Sequence, residues 1–195
     1  MRRFALFSIA AIIAAALPVA AYSGIMVDPK TKQPLVNKHS PGGGFFGSSS
    51  IKKQVVANPG QYSAGTIVVN TAERRLYLIQ DDGKALKYGI GVGREGFQWG
   101  GTHSITMKRE WPDWRPPEAM LKRRPDLPRF MPGGPNNPLG ARAMYIGSTI
   151  FRIHGSNEPQ TIGQAVSSGC FRMTNTDVVD LYDRVKVGTR VVILR

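Results

Sequence analysis

From Thr66 onward the chain runs in short β-branched and aromatic stretches separated by turn residues. That rhythm points to a mainly β domain, because each run is one strand long and too short for an amphipathic helix. Thr66-Ile67-Val68-Val69-Asn70 and Arg75-Leu76-Tyr77-Leu78-Ile79 are the first two strands expected. Asp81-Asp82-Gly83 supplies a turn, so 85–92 is predicted to return as the second arm of a hairpin. Further strands are expected at 102–108, 144–146, 150–153 and 190–194. One helix stands apart. Thr174 with Asp177 three residues later resembles a capping box, Val178, Leu181, Tyr182 and Val185 share a face, and Gly188 ends the run.

The regularity stops between 108 and 141, where eight of the 14 prolines fall together with Trp111 and Trp114. Only 117–123 has room for a helical turn or two. So long an irregular stretch inside a compact domain is a functional loop or a disordered one; two tryptophans and stiff prolines favour an ordered lid. The competing reading is a loop packed elsewhere for stability.

The start of the chain follows different rules. Met1-Arg2-Arg3 is a positive leader, 4–17 is an uncharged apolar run too short to span a bilayer comfortably, and Val19-Ala20-Ala21 offers small residues at a cleavage site. Residues 1–21 are therefore expected to be a secretory signal peptide cut before Tyr22, with an uncleaved anchor as the alternative. No cysteine follows the run, so a lipid anchor there is excluded. Residues 22–64, rich in proline, glycine and serine, are expected to be a flexible tail, either a spacer or disorder without function. The remainder, 65–195, is one domain by length.

The formal charge is +13, from 26 Lys and Arg against 13 Asp and Glu, and losing Arg2 and Arg3 with the leader lowers it to +11. An exported basic protein meets anionic envelope polymers rather than nucleic acid. A bland surface that aids solubility has the same composition. After signal cleavage no transmembrane span is expected.

Several motifs can be weighed singly. Gly91-Val92-Gly93-Arg94-Glu95-Gly96 fits G-x-G-x-x-G, but Phe97-Gln98-Trp99-Gly100-Gly101 cannot start the helix that a dinucleotide site needs, so these glycines serve turns and close backbone approach. His39, His103 and His154 are too scattered for a metal site, and one cysteine excludes both a disulfide framework and a cysteine-based zinc site. That cysteine, Cys170, is either a small buried hydrophobe or a nucleophile. Export weakens the first reading, because a free thiol risks oxidation outside the cell. Arg172 brings charge that favours thiolate, and Ser167-Ser168-Gly169 lets backbone N–H groups approach a ligand. His154, at the end of an expected strand and 16 residues before Cys170, is a surface histidine or the base that takes the thiol proton. A Cys–His pair of that kind performs acyl transfer.

Ile153-His154-Gly155, then Ser167-Ser168-Gly169-Cys170-Phe171-Arg172-Met173, then Asn175 and Asp177, resemble the active-site signature of L,D-transpeptidases with the YkuD-type catalytic domain. The likeness extends to the opening hairpin, to Gly91-Val92-Gly93 and Gly100-Gly101-Thr102, to 137–143 and to the last strand. Ser168 stands where many members carry histidine, and Phe171 where an aliphatic residue is common.

The resemblance implies a YkuD-like sandwich or barrel-type β domain with one or two short helices, a long proline-rich lid loop, and no cofactor. It implies that Cys170 attacks the bond between the third stem residue, a diamino acid, and the terminal D-Ala of a peptidoglycan tetrapeptide, with His154 as base. A thioester forms, and an amine resolves it into a cross-link between third-position residues. The backbone at Ser168 and Gly169, with Cys170 itself, is expected to hold the oxyanion, and Arg172 and Gly155 to touch substrate. The expected location is the periplasm, at the cell wall. The acceptor stays open: a stem amine, water, or an amine of an outer-membrane protein. A non-catalytic wall-binding module is the remoter reading.

Overall fold

The computed structural model describes residues 49–195; the expected leader, residues 22–48 of the expected tail, and His39 lie outside the described residues. The predicted hairpin forms from β3 (Arg75–Ile79) and β4 (Lys84–Gly89), Leu78 facing Leu86 across the pair. β2 (Ile67–Asn70) lies antiparallel on β3 and parallel to the closing strand β11 (Arg190–Leu194).

The sheet then continues through β6 (Gly101–Glu110), whose first half pairs with β11 and whose second half pairs with β7 (Arg142–Ile146). The register shifts between Ile105 and Met107, and a bulge of that kind bends a strand and increases its twist. Beyond β7 come β8 (Arg152–His154) and β10 (Phe171–Arg172), the last pair parallel. β5 (Val92–Gly93) and β9 (Ala165–Ser167) make a separate two-stranded piece.

Because side chains alternate along a strand, β2 sends Ile67 and Val69 to one face and Val68 to the other. The first face joins the main core with Leu76, Tyr88, Ile105, Met144, Ile153 and Phe171, drawn from both halves of the sheet. Each fully buried side chain of this size contributes about 1.5–3 kcal/mol. The second face carries Val68, Tyr77, Ile79 and Ala85, covered by Val56 and Tyr62.

That covering corrects the expected extent of the tail. Gln54–Ala57 is a strand, β1, antiparallel on β4. Val55 and Val56 are too short a run to signal a strand alone, but the open edge of β4 and the apolar back face supply what orders them.

The helix α2 (Asn175–Arg184) begins as its cap predicts, Asp177 N–H donating to Thr174 Oγ1 at 3.1 Å. Val178 and Leu181 are buried beneath it. Lys108 Nζ donates to the carbonyls of Tyr182 and Val185, both at 2.6 Å, and so satisfies orphan acceptors at its C-terminal end. The short helix expected near 117–123 is α1 (Glu118–Arg123). No helix among the described residues is long and apolar enough to cross a membrane.

Candidate active site

His154 is the last residue of β8, and Cys170 immediately precedes β10. The parallel pairing sets Phe171 beside Ile153 and Arg172 beside His154. One step back along both strands, Cys170 comes beside Arg152, whose charge and main chain favour the thiolate. Residues 155–169 loop between these two strands, which is how positions 16 apart come to line one cavity of about 380 Å³. Ser167, Ser168, Phe151 and Arg172 share that wall.

The opposite wall is the proline-rich segment. Trp114, Pro117, Met120, Leu127 and Met131 face the cavity. The segment has no ladder of its own beyond a bridge between Trp114 and Met131, whose N–H and C=O groups exchange bonds at 2.8 Å. Asn137, 1% exposed, ties its base together: Nδ2 donates to the carbonyls of Pro112 and Pro132, both at 3.0 Å, and Oδ1 accepts from Leu139 N–H at 2.9 Å. The expected lid is thus an ordered wall of the site. Of its basic residues Lys122, Arg123, Arg124 and Arg129, Arg124 lines the cavity, while Arg123 stacks 5.2 Å from the Phe97 ring.

His154 is 4% exposed, and its Nδ1 lies 2.5 Å from the Gly155 carbonyl oxygen. A carbonyl only accepts, so Nδ1 carries the hydrogen and Nε2 keeps its lone pair. Burial, reinforced by the positive charges of Arg172 and Arg152, pushes the imidazole pKa down to about 3. Burial also pushes the Cys170 thiol above its ordinary value, against the opposing pull of Arg152 and Arg172. The resting pair is therefore neutral thiol and neutral imidazole, not the thiolate that Arg172 alone suggests. Such a pair reacts by moving the proton as the sulfur attacks.

Three of the residues expected to contact substrate or oxyanion have partners within the chain. Gly169 N–H donates to Ser167 Oγ at 3.1 Å, and that hydroxyl donates to the Cys170 carbonyl at 2.6 Å, so the Gly169 amide is engaged within the loop rather than turned to an oxyanion. Gly169 has φ +108°, and a Cβ there would meet the Phe151 ring at 2.3 Å; conformation and close approach require glycine. Gly155, expected to touch substrate, is buried, and a Cβ would strike Asn175 Oδ1 at 2.2 Å. Its contribution is the carbonyl that orients His154. Arg172 forms an ion pair with Glu158 at 2.9 Å. Ser168 lines the cavity.

Asn175 is 1% exposed and spans the floor, Oδ1 accepting from Ala141 N–H at 2.9 Å and Nδ2 donating to the Ser156 carbonyl at 3.0 Å.

Two side chains went unnoticed in the sequence. Trp99 donates from Nε1 to the Gly169 carbonyl at 2.7 Å and stacks on Phe151 and Phe171, ring centroids 4.6 and 5.6 Å away, bracing the loop that carries the thiol. Arg152 is the other. The Gly91 region is also explained: Gly91 and Arg172 exchange backbone bonds at 2.9 Å, and a Cβ on Gly93 would meet the Phe97 carbonyl oxygen at 2.5 Å. No three His, Cys, Asp or Glu side chains among the described residues gather into a metal donor set.

Residues 64–193 match the family described as L,D-transpeptidase catalytic domain, YkuD. The probable L,D-transpeptidase ErfK/SrfK of Escherichia coli K12 is 42% identical over 137 residues, covering 66% of this chain and 43% of the relative. The probable L,D-transpeptidase YbiS of the same strain is 38% identical over 134 residues, covering 64% and 43%. The chain spans less than half the length of these relatives. L,D-transpeptidase 3 from Mycobacterium tuberculosis, solved with a faropenem-derived adduct, shares the fold at TM-score 0.55 and 15% identity, over 67% of this chain and 60% of that one. A structure from Brucella melitensis named a probable carnitine operon oxidoreductase is 47% identical with TM-score 0.50, over 74% and 94%. In this chain Gly91 to Gly96 leads into β6 rather than into the helix that a dinucleotide site needs.

Proposed function

This chain belongs to the L,D-transpeptidase family with a YkuD catalytic domain, and from that membership we propose that it is an exported, periplasmic acyltransferase acting on peptidoglycan stem peptides. What carries the reading is a thiol and a neutral, buried imidazole lining one cavity whose far wall is an ordered apolar segment.

His154 Nε2 takes the proton of Cys170 as the sulfur attacks the carbonyl of the third stem residue. The C–N bond to the terminal D-Ala then breaks, and the same proton passes to the departing amine. A thioester remains on Cys170. An acceptor amine attacks it, gives up a proton through His154, and the C–S bond breaks to restore the thiol. With the side-chain amine of a second stem as acceptor, the product is a link between third-position residues. Water or a protein amine at the same step gives hydrolysis or tethering of an outer-membrane protein.

The test is mass spectrometry of the purified protein after incubation with a disaccharide-tetrapeptide, with and without an added amine. The expected products are free D-Ala, a Cys170 adduct, and an amine-linked product in the second arm. Cys170→Ala is expected to lose at least about 10³-fold in rate; activity within tenfold of the parent overturns the mechanism.

A further inference from the structure

Three guanidiniums line the cavity, and two of them are neutralised. Arg124 is held by Asp126 at 2.6 Å and Arg172 by Glu158 at 2.9 Å. Arg152 has no carboxylate partner among the described residues. Its Nε is a buried donor with no hydrogen-bond partner there. The guanidinium lies over the Tyr145 ring, 5.1 Å from its centroid, an arrangement that steadies a planar cation without neutralising it. Keeping a partly buried charge and a buried donor unpaired is costly, and a site in that condition calls for an anion delivered by a ligand.

Resting on the acyl-transfer reading above, we infer that Arg152 docks the free α-carboxylate of the residue released during acylation. It thereby restricts the donor to stems that end one residue beyond the scissile bond. The strand register supports this distance. Cys170 and Arg152 are neighbours across β10 and β8, so the guanidinium and the attacking sulfur are side by side. One residue of extended chain advances about 3.3–3.6 Å, so the carboxylate just past the attacked carbonyl falls within reach of a group beside the sulfur. A carboxylate two residues along lies about twice as far. A stem with one more residue presents an amide to Arg152, and the fork stays unsatisfied. Arg172 suits the task less well, because its charge is committed to Glu158 and its register partner is His154. A bidentate fork also fixes orientation, holding the scissile carbonyl over the thiol.

The experiment compares the disaccharide-tetrapeptide with its C-terminal carboxamide on the wild type, Arg152→Gln, Arg152→Lys and Arg172→Gln. The wild type is expected to prefer the acid by about 10–100-fold in kcat/KM, the range of one charge-assisted bidentate contact. Arg152→Gln is expected to lose most of that preference, its rate on the acid falling at least about tenfold further than its rate on the amide. Arg152→Lys keeps the charge but not the fork and falls between, and Arg172→Gln retains the preference.

A second readout needs no muropeptide: the ratio of Cys170 alkylation rates by iodoacetate and by iodoacetamide. A cation beside the sulfur that takes up carboxylates raises this ratio in the wild type, and Arg152→Gln lowers it at least about fivefold. An equal loss on acid and amide in Arg152→Gln, or a ratio the substitution leaves unchanged, overturns the carboxylate role. If the wild type turns over neither peptide, the acyl-transfer reading has failed, and the alkylation ratio alone still decides whether Arg152 binds carboxylates.

Discussion

The surroundings of His154, the base of the proposed mechanism, deny it a proton in the resting state. Burial and the two flanking arginines keep the ring neutral down to about pH 3, whereas an ordinary histidine is mostly protonated by pH 5, with only about one ring in thirty neutral. Acylation by muropeptide is therefore expected to change less than about threefold between pH 7.5 and 5; a drop near thirtyfold would mean that the ring titrates normally. The same shift has a stability consequence. The unfolded chain takes up a proton at His154 below about 6.5 and the folded chain does not until about 3, so the native state loses stability as pH falls through that window.

Trp99 allows a second test at this scale. Trp99→Phe keeps a stacked ring but removes the donor to the Gly169 carbonyl. We expect kcat to fall about tenfold with about 1 kcal/mol lost in thermal unfolding, since one hydrogen bond is removed but the loop carrying Cys170 loses its brace. Cys170 and His154 stand out in the sequence because a lone thiol behind an expected leader and a nearby histidine are unusual in themselves. Trp99 does not, because its partner lies 70 positions away. The close approaches that require glycine at 155 and 169 were not legible, because sequence does not distinguish a glycine needed for its amide from one needed for its missing side chain.

At the scale of elements, the strands 67–70, 75–79 and 190–194 and the helix at 175 were legible, since β-branched runs and a cap at Thr174 are local signals. β1, β9 and β10 were not, because runs of two to four residues form strands only against an edge that other strands provide. β10 matters most of these, for its pairing with β8 is what sets Cys170 and His154 at one cavity. The wall at 111–138 was recognised as ordered, but not how it is held. Asn137 is the tie, and Asn137→Ala takes the donor from the buried bond to the Pro112 carbonyl and from the half-buried one to Pro132, at about 1–3 kcal/mol. Backbone amides of 111–138 are expected to exchange hydrogen at least tenfold faster in that variant, and KM for muropeptide to rise while the thiol still reacts with iodoacetamide. Unchanged exchange would mean that the wall is held by its packing alone.

For the whole molecule the relevant quantity is charge. A surplus of +13, or +11 without the expected leader, sets up a field that extends past the cavity, and stem peptides carry free carboxylates. Long-range attraction of this sort raises the encounter rate rather than the chemical step. It is screened over about 10 Å at 0.1 M salt and about 3 Å at 1 M, whereas a guanidinium facing a carboxylate inside the cavity is screened far less. The two contributions therefore separate in a salt titration. Between about 0.02 and 0.5 M sodium chloride, kcat/KM for muropeptide is expected to fall about 3–10-fold with kcat nearly constant, and alkylation of Cys170 by the neutral reagent iodoacetamide to stay flat. The acid-over-amide preference assigned to Arg152 should persist through most of that range, because it arises at contact distance within the cavity. If kcat/KM is indifferent to salt, the basic surplus serves solubility and takes no part in finding the wall; if the iodoacetamide rate falls in parallel, salt is acting on the site itself rather than on the approach to it.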